Sequence, residues 1–233
     1  MLSLSITLLI PGGDLAVSHL FWRPGQGFIG NELAAVRWVY DIVPWLGRLA
    51  ALVGLVLLIR AGEAVGVRWR RRGLMLSLVM VAGVGALVNG VFKEHWGRAR
   101  PVTVDSFGGN RSFTPVWMPS DECRSNCSFV SGHAATGFAL MGVGALATLR
   151  ARRRWCLIGI GAGLLIGLGR IAQGGHFLSD VIFAGLAVWA SVALFRALWL
   201  RSRLRRRRRH ARRQQDALPP MTKGSDPCGL TPS

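Results

Sequence analysis

The sequence predicts an all-α protein: a polytopic membrane helix bundle with five clear spans and a short or truncated first span. Three observations carry this. Apolar runs of about 16 to 24 residues recur, the length needed to cross a hydrocarbon core. Basic residues gather in every second connection, with 29 Lys+Arg against 11 Asp+Glu and a net charge of +18. The chain holds 30 glycines, many of them inside the apolar runs, where small residues let helices touch in lipid.

Met1–Ile10 is apolar but reaches only about 15 Å as a helix, too short to span alone. It reads as a truncated first span, a re-entrant piece or the result of a late start codon. No basic segment precedes it, as a signal peptide would need. Pro11–Asp41 reads as an outward loop, with an interfacial helix over Asn31–Tyr40, where aromatics sit at headgroup depth. The spans follow at Ile42–Ile59, Gly73–Phe92, Ser128–Leu149, Trp155–Ala172 and Phe177–Leu200. Arg48, near the outer end of the first of these, reads as a snorkelling side chain. Between the second and third lies a polar loop of Gly, Pro and Asn clusters, long for a compact bundle and therefore a place to look for function.

Arginines group at 60–72, at 150–154 and at 201–213. These stretches alternate with the other connections, so the positive-inside rule puts all three in the cytoplasm. Residues 1–200 then form a membrane-embedded domain. Residues 201–233 form a basic, disordered cytoplasmic tail, suited to anionic lipid headgroups rather than to nucleic acid. In the long outward loop, Cys123 and Cys127 stand close enough for a local disulfide in an oxidising compartment. A zinc site is the rival reading, but no second ligand pair sits at metal spacing.

Three polar clusters fall at outer span ends, hence on one side of the membrane. The first runs from Lys93 to Pro101 and supplies Lys93, Arg98 and Arg100 as cations. The second is Ser131-Gly132-His133 at a helix entrance, where free amides and the helix dipole favour an anion. The third is Arg170, His176 and Asp180; the last two are four apart and share a helix face. A carboxylate on one imidazole nitrogen would leave the other free as a nucleophile. Singly, each cluster has a plain structural use: snorkelling cations, an N-cap serine, a satisfied His–Asp pair. Together they suit phosphoryl transfer, with cations around the phosphate, one imidazole attacking phosphorus and the other protonating the leaving oxygen. Lys93, Arg100 and Arg170 supply the charge, so no metal or other cofactor is expected. The outward carboxylates show no two-metal clustering.

These residues and spacings resemble the type 2 phosphatidic acid phosphatases, which share their site with vanadium haloperoxidases. Lys93-x6-Arg100-Pro101, Ser131-Gly132-His133 and Arg170-x5-His176-x3-Asp180 match the three family motifs. Val130 and Gly169 stand where the family has proline and serine. The resemblance implies a six-helix core and a phosphohistidine on His176, with Asp180 orienting it and His133 as general acid. It also implies a phosphate cradle of Lys93, Arg100, Ser131, the Gly132 amide and Arg170, and no metal. The stretch around Cys123 and Cys127 looks like the branch that includes lipid A phosphatases of Gram-negative envelopes. The expected substrates are phosphorylated membrane lipids: phosphatidic acid, phosphatidylglycerol phosphate, undecaprenyl diphosphate or lipid A. The expected location is the bacterial inner membrane, with the site facing the periplasm. Rival readings are a phosphotransferase using the same histidine, and a channel or transporter. Against the latter, the polar residues sit at span ends rather than along one helix face.

Overall fold

The computed structural model describes residues 11–59 and 66–216. The short first span expected at Met1–Ile10, part of the first basic loop, and the tail beyond Asp216 lie outside the described residues. Helix α1 (Pro11–His19) leads into a two-residue hairpin, β1 (Trp22–Arg23) and β2 (Gly27–Phe28), paired antiparallel. Helix α2 is Ala34–Ile59 and α3 is Val67–His95. Helix α4 is Gly132–Phe138, extended by tighter turns over Ala139–Gly144. Helix α5 is Leu149–Ala172, and α6 is Leu178–Asp216.

The helical bundle stands as expected, and its elements differ from the sequence reading in three places. The interfacial helix and the first clear span are one element. Helix α2 starts at Ala34 and runs through Pro44 without a break, which membrane helices tolerate because neighbouring groups satisfy the freed carbonyl. The run Ser128–Leu149 forms the short α4 rather than a long span. Four helices among the described residues are long and apolar enough to cross a membrane: Ala34–Leu57, Val67–His95, Leu149–Ala172 and Leu178–Gln214. Helix α4 is mostly Gly, Ala and Thr and is buried between its neighbours, so tertiary packing sets its winding and length. Finally, the segment read as a disordered tail is helical as far as Asp216. No proline or glycine interrupts 200–216, and arginine is a good helix former. The compact unit ends at Arg196; the second unit begins at Ala197, and its described part is an exposed, arginine-rich helix.

Two glycine contacts set the α4–α5 hairpin. A Cβ on Gly137 would come within 2.8 Å of the Gly163 nitrogen, and one on Gly159 within 2.7 Å of Met141 Cγ. Without side chains there, the two backbones meet, and the Phe138 ring lies flat on Gly163. The core continues through Val88, Phe129, Val130, Val181 and Val188. Within α3, residues 79–92 wind in the wider π form, and the Lys93 amide bonds back to Val88.

The long loop after α3 is tied down rather than floating. Cys127 N donates to Lys93 O at 3.3 Å, Ser128 N to Arg98 O at 2.9 Å, and Ser120 N to Trp96 O at 3.0 Å. A second small core of Phe28, Ala99, Val104, Phe107 and Phe177 fastens it to the hairpin and to the α5–α6 turn. That turn needs Gly174 at φ 66°, where a side chain would be strained and would strike Phe28. Each chain crossing therefore delivers its polar cluster to the same end of the bundle.

Candidate active site

His176 sits in the turn between α5 and α6 and is fully buried. Its Nδ1 lies 2.6 Å from the Ser128 carbonyl oxygen. A carbonyl only accepts, so Nδ1 carries the proton and Nε2 the lone pair. Nε2 has no partner. Burial, reinforced by the charges of Arg170 and Lys93, pushes the imidazole down to about 3, against the pull of Asp180. The ring is thus neutral and oriented, with a free lone pair and with Arg170 and Lys93 near enough to act on it. This is the electronic state a nucleophilic histidine needs.

Asp180 does not make the direct bond expected of it. Its Oδ2 is 3.8 Å from His176 Nδ1, too far for a hydrogen bond. The carboxylate instead accepts from Ser128 Oγ at 2.5 Å, Phe177 N at 2.8 Å and Arg98 Nη1 at 2.6 Å. It orients His176 at one remove, by fixing Ser128 and the turn that carries the ring.

The sequence groups Arg98 with Lys93 and Arg100 as an interface cation, but the structure buries it completely. It bridges two carboxylates, Asp180 at 2.6 Å and Asp14 at 2.7 Å, and donates to Ser179 Oγ and Thr114 O, both at 2.9 Å. Burial opposes its charge, yet the carboxylates Asp180 and Asp14 outweigh burial and hold Arg98 above its ordinary value. Asp14 also accepts from Ser179 N at 2.8 Å and Ser179 Oγ at 2.5 Å. The sequence left Asp14 in a loop, because no spacing rule ties it to residues more than eighty positions away.

The cations of the expected cradle come together. Lys93, Arg100 and Arg170 each lie within the field of another, and Lys93 and Arg170 also act on both His133 and His176. Arg170, in the last turn of α5, is buried and donates Nη1 to the Gln173 side chain. Gly175 makes room for it: a Cβ there would come 2.7 Å from the Arg170 Cζ. Arg100 donates Nε at 3.1 Å and Nη2 at 2.7 Å to the Asn126 carbonyl. Asn126 lies in the small loop between Cys123 and Cys127, whose sulfurs are bonded to each other. Burial pushes Arg100 below its ordinary value.

Ser131 caps α4, its Oγ accepting from Ala134 N at 3.4 Å, and its own amide bonds to Asp180 O at 3.3 Å. Gly132 faces the Asn89 side chain, which fills the space a Cβ would take. His133 is half-buried, and its Nε2 lies 3.1 Å from the Tyr40 carbonyl oxygen. Lys93, Gly132, His133 and Thr136 border a cavity of about 300 Å³, walled by α2 and α3 and reaching down to Arg48. The Arg48 guanidinium lies over the Trp45 ring, 4.7 Å from its centroid. Among the described residues, no group of three or more His, Cys, Asp or Glu gathers as a metal site would require.

The model of the PAP2 superfamily matches residues 73–205. A lipid A 4'-phosphatase of Francisella tularensis subsp. novicida (strain U112) is 40% identical over 203 residues, covering 84% of this chain and 90% of the relative. One from Rhizobium leguminosarum is 31% identical over 215 residues, covering 84% of this chain and 89% of the relative. A third, from Rhizobium etli, is 39% identical over 132 residues, covering 55% of this chain and 49% of the relative. No solved structure matches significantly.

Proposed function

The chain belongs to the PAP2 superfamily, and on that premise we propose that it is an integral-membrane lipid phosphatase working through a phosphohistidine on His176. The observation that carries this is the state of His176: buried, its proton held on Nδ1 by the Ser128 carbonyl, and its Nε2 unpartnered beside Lys93 and Arg170.

Lys93, Arg100 and Arg170 hold the phosphate oxygens, with Ser131 and the Gly132 amide at the edge of the cradle. Nε2 attacks phosphorus as the bond to the lipid oxygen breaks, and that oxygen takes the Nδ1 proton of His133. Burial and the neighbouring cations hold His133 below its usual value, so the phosphate's negative charge must bring the ring to its protonated form on binding. Water then attacks the phosphohistidine, giving its proton to His133, and inorganic phosphate leaves with His176 neutral again. Asp180 keeps Ser128 and the turn in place throughout.

Among the four expected lipids, lipid A comes first, because the relatives are named for it. The arginine-rich stretches at the opposite span ends support a site on the periplasmic face of the inner membrane. The test is phosphate release by the purified protein across a panel of phosphorylated envelope lipids, with and without chelator. Release should persist in chelator and fall to background in His176→Ala and His133→Ala variants that still insert in the membrane. Full activity in either variant would reject the assigned roles. Transfer to an acceptor other than water would make the enzyme a phosphotransferase instead.

A further inference from the structure

Helix α2 contributes one aromatic side chain to the site, and nothing in the three motifs points to it. Tyr40 stacks on the His133 imidazole, ring centroids 4.8 Å apart and planes 15° from parallel. The Arg170 guanidinium carbon lies 4.5 Å from the centroid of the same ring. The Tyr40 main-chain oxygen accepts from His133 Nε2 at 3.1 Å. One residue thus touches both the group assigned to proton transfer and a group assigned to phosphate binding. The residue is nevertheless 42% exposed.

We propose that Tyr40 is a positioning residue of the phosphatase site, holding the His133 imidazole in the plane from which it reaches the leaving oxygen. This rests on the role given to His133 above. The carbonyl bond fixes one ring nitrogen but leaves the imidazole free to swing about that bond. The stacked tyrosine ring removes this freedom, because tilting the imidazole would break the face-to-face contact. The proton then passes between the other nitrogen and the lipid oxygen along a fixed line. General acid catalysis depends on such alignment, and misplacement by about 1 Å can cost about a hundredfold. The cation–π contact ties Arg170 to the same ring, so phosphate binding and proton delivery share one support.

The discriminating variable is the leaving group. An alkyl alcohol leaves poorly and needs its proton in the transition state; a nitrophenol leaves readily without one. The experiment compares the wild type, Tyr40→Phe and Tyr40→Leu on two phosphate esters of matched chain length, one alkyl and one nitrophenyl. Tyr40→Phe keeps the ring and should stay within about threefold of the wild type on both. Tyr40→Leu removes the ring; its loss in kcat/KM, which reports the step that expels the leaving group, should be greater on the alkyl ester than on the nitrophenyl ester by about tenfold or more. A rise in KM common to both esters would read the Arg170 contact. Equal losses in kcat/KM on the two esters, or none, would overturn the proposal, since a packing defect has no reason to sense the leaving group. If Tyr40→Leu fails to fold, Tyr40→Trp, which keeps a stacking face, must retain the wild-type ratio between the esters, and a changed ratio would equally overturn it. A wild type that hydrolyses neither ester would remove the proposed function first, and this reading with it.

Discussion

Arg98 offers the sharpest test of how the site is held. It is fully buried and donates to four acceptors: Asp14, Asp180, Ser179 Oγ and Thr114 O. Each hydrogen bond to a charged group contributes about 1.5–3 kcal/mol net, and the desolvation of the guanidinium offsets much of that sum. What survives is better judged from broken buried pairs, where loss of one partner costs about 3–5 kcal/mol. Replacing Arg98 with Met keeps an unbranched stem but removes the guanidinium that lies over Phe177 and Phe113, and leaves two carboxylates facing each other without a cation. We therefore expect Arg98→Met to lose about 4 kcal/mol, a large part of the roughly 5–15 kcal/mol that holds a typical domain. The measurement is reversible unfolding in mixed micelles, compared across Arg98→Met, Asp14→Leu and the double variant. Asp14→Leu should be costly alone and much less so once Arg98 is gone, with a coupling of about 2 kcal/mol or more. A loss under about 1 kcal/mol for Arg98→Met, or additivity within about 0.5 kcal/mol, would refute the bridge as an energetic link.

Three further outcomes follow. His176 binds its proton near 3 when folded and near 6.5 when unfolded, so the unfolded chain takes up a proton first as pH falls. The folded state should therefore lose stability on acidification below pH 6.5, and thermal midpoints at about pH 7 and 5 should differ less in His176→Asn than in the wild type. Opening the Cys123–Cys127 bond, with reductant or by Cys127→Ser, should loosen the Asn126 carbonyl that grips Arg100. Inhibition by inorganic phosphate should then weaken by about three- to tenfold, worth up to about 1.4 kcal/mol, while kcat changes little. Gly163→Val would drive methyl groups into the Phe138 ring; at about 1–3 kcal/mol for overpacking, size exclusion in detergent should show less monodisperse protein.

Several site residues were legible because they obey local rules. Lys93, Arg100, His133, Arg170 and His176 sit at span ends, and counting spans places them on one side. Asp180 was legible as a residue but not in its contacts. Four positions from His176 on paper, it reaches instead for Ser128 and Arg98, because the ring lies in a turn just before α6 begins. Arg98 looked like its neighbours Lys93 and Arg100, since charge carries no mark of burial. Tyr40 looked like an interfacial aromatic, and Asp14 like a loop carboxylate. All three act through partners more than eighty positions away, a separation that periodicity and motif spacing do not register.

What the amino-acid order determined by itself is the membrane bundle, and the residue types and spacings of its polar clusters. Those follow from run length, charge alternation and residue type, all of which act over a few turns of helix. The tertiary structure alone decided that His176 Nδ1 faces the Ser128 carbonyl, that Asp180 bonds Ser128 rather than His176, and that Asp14 touches Arg98 and Tyr40 touches His133. These depend on distances of about 3 Å between separate segments, and such distances exist only once the helices have packed.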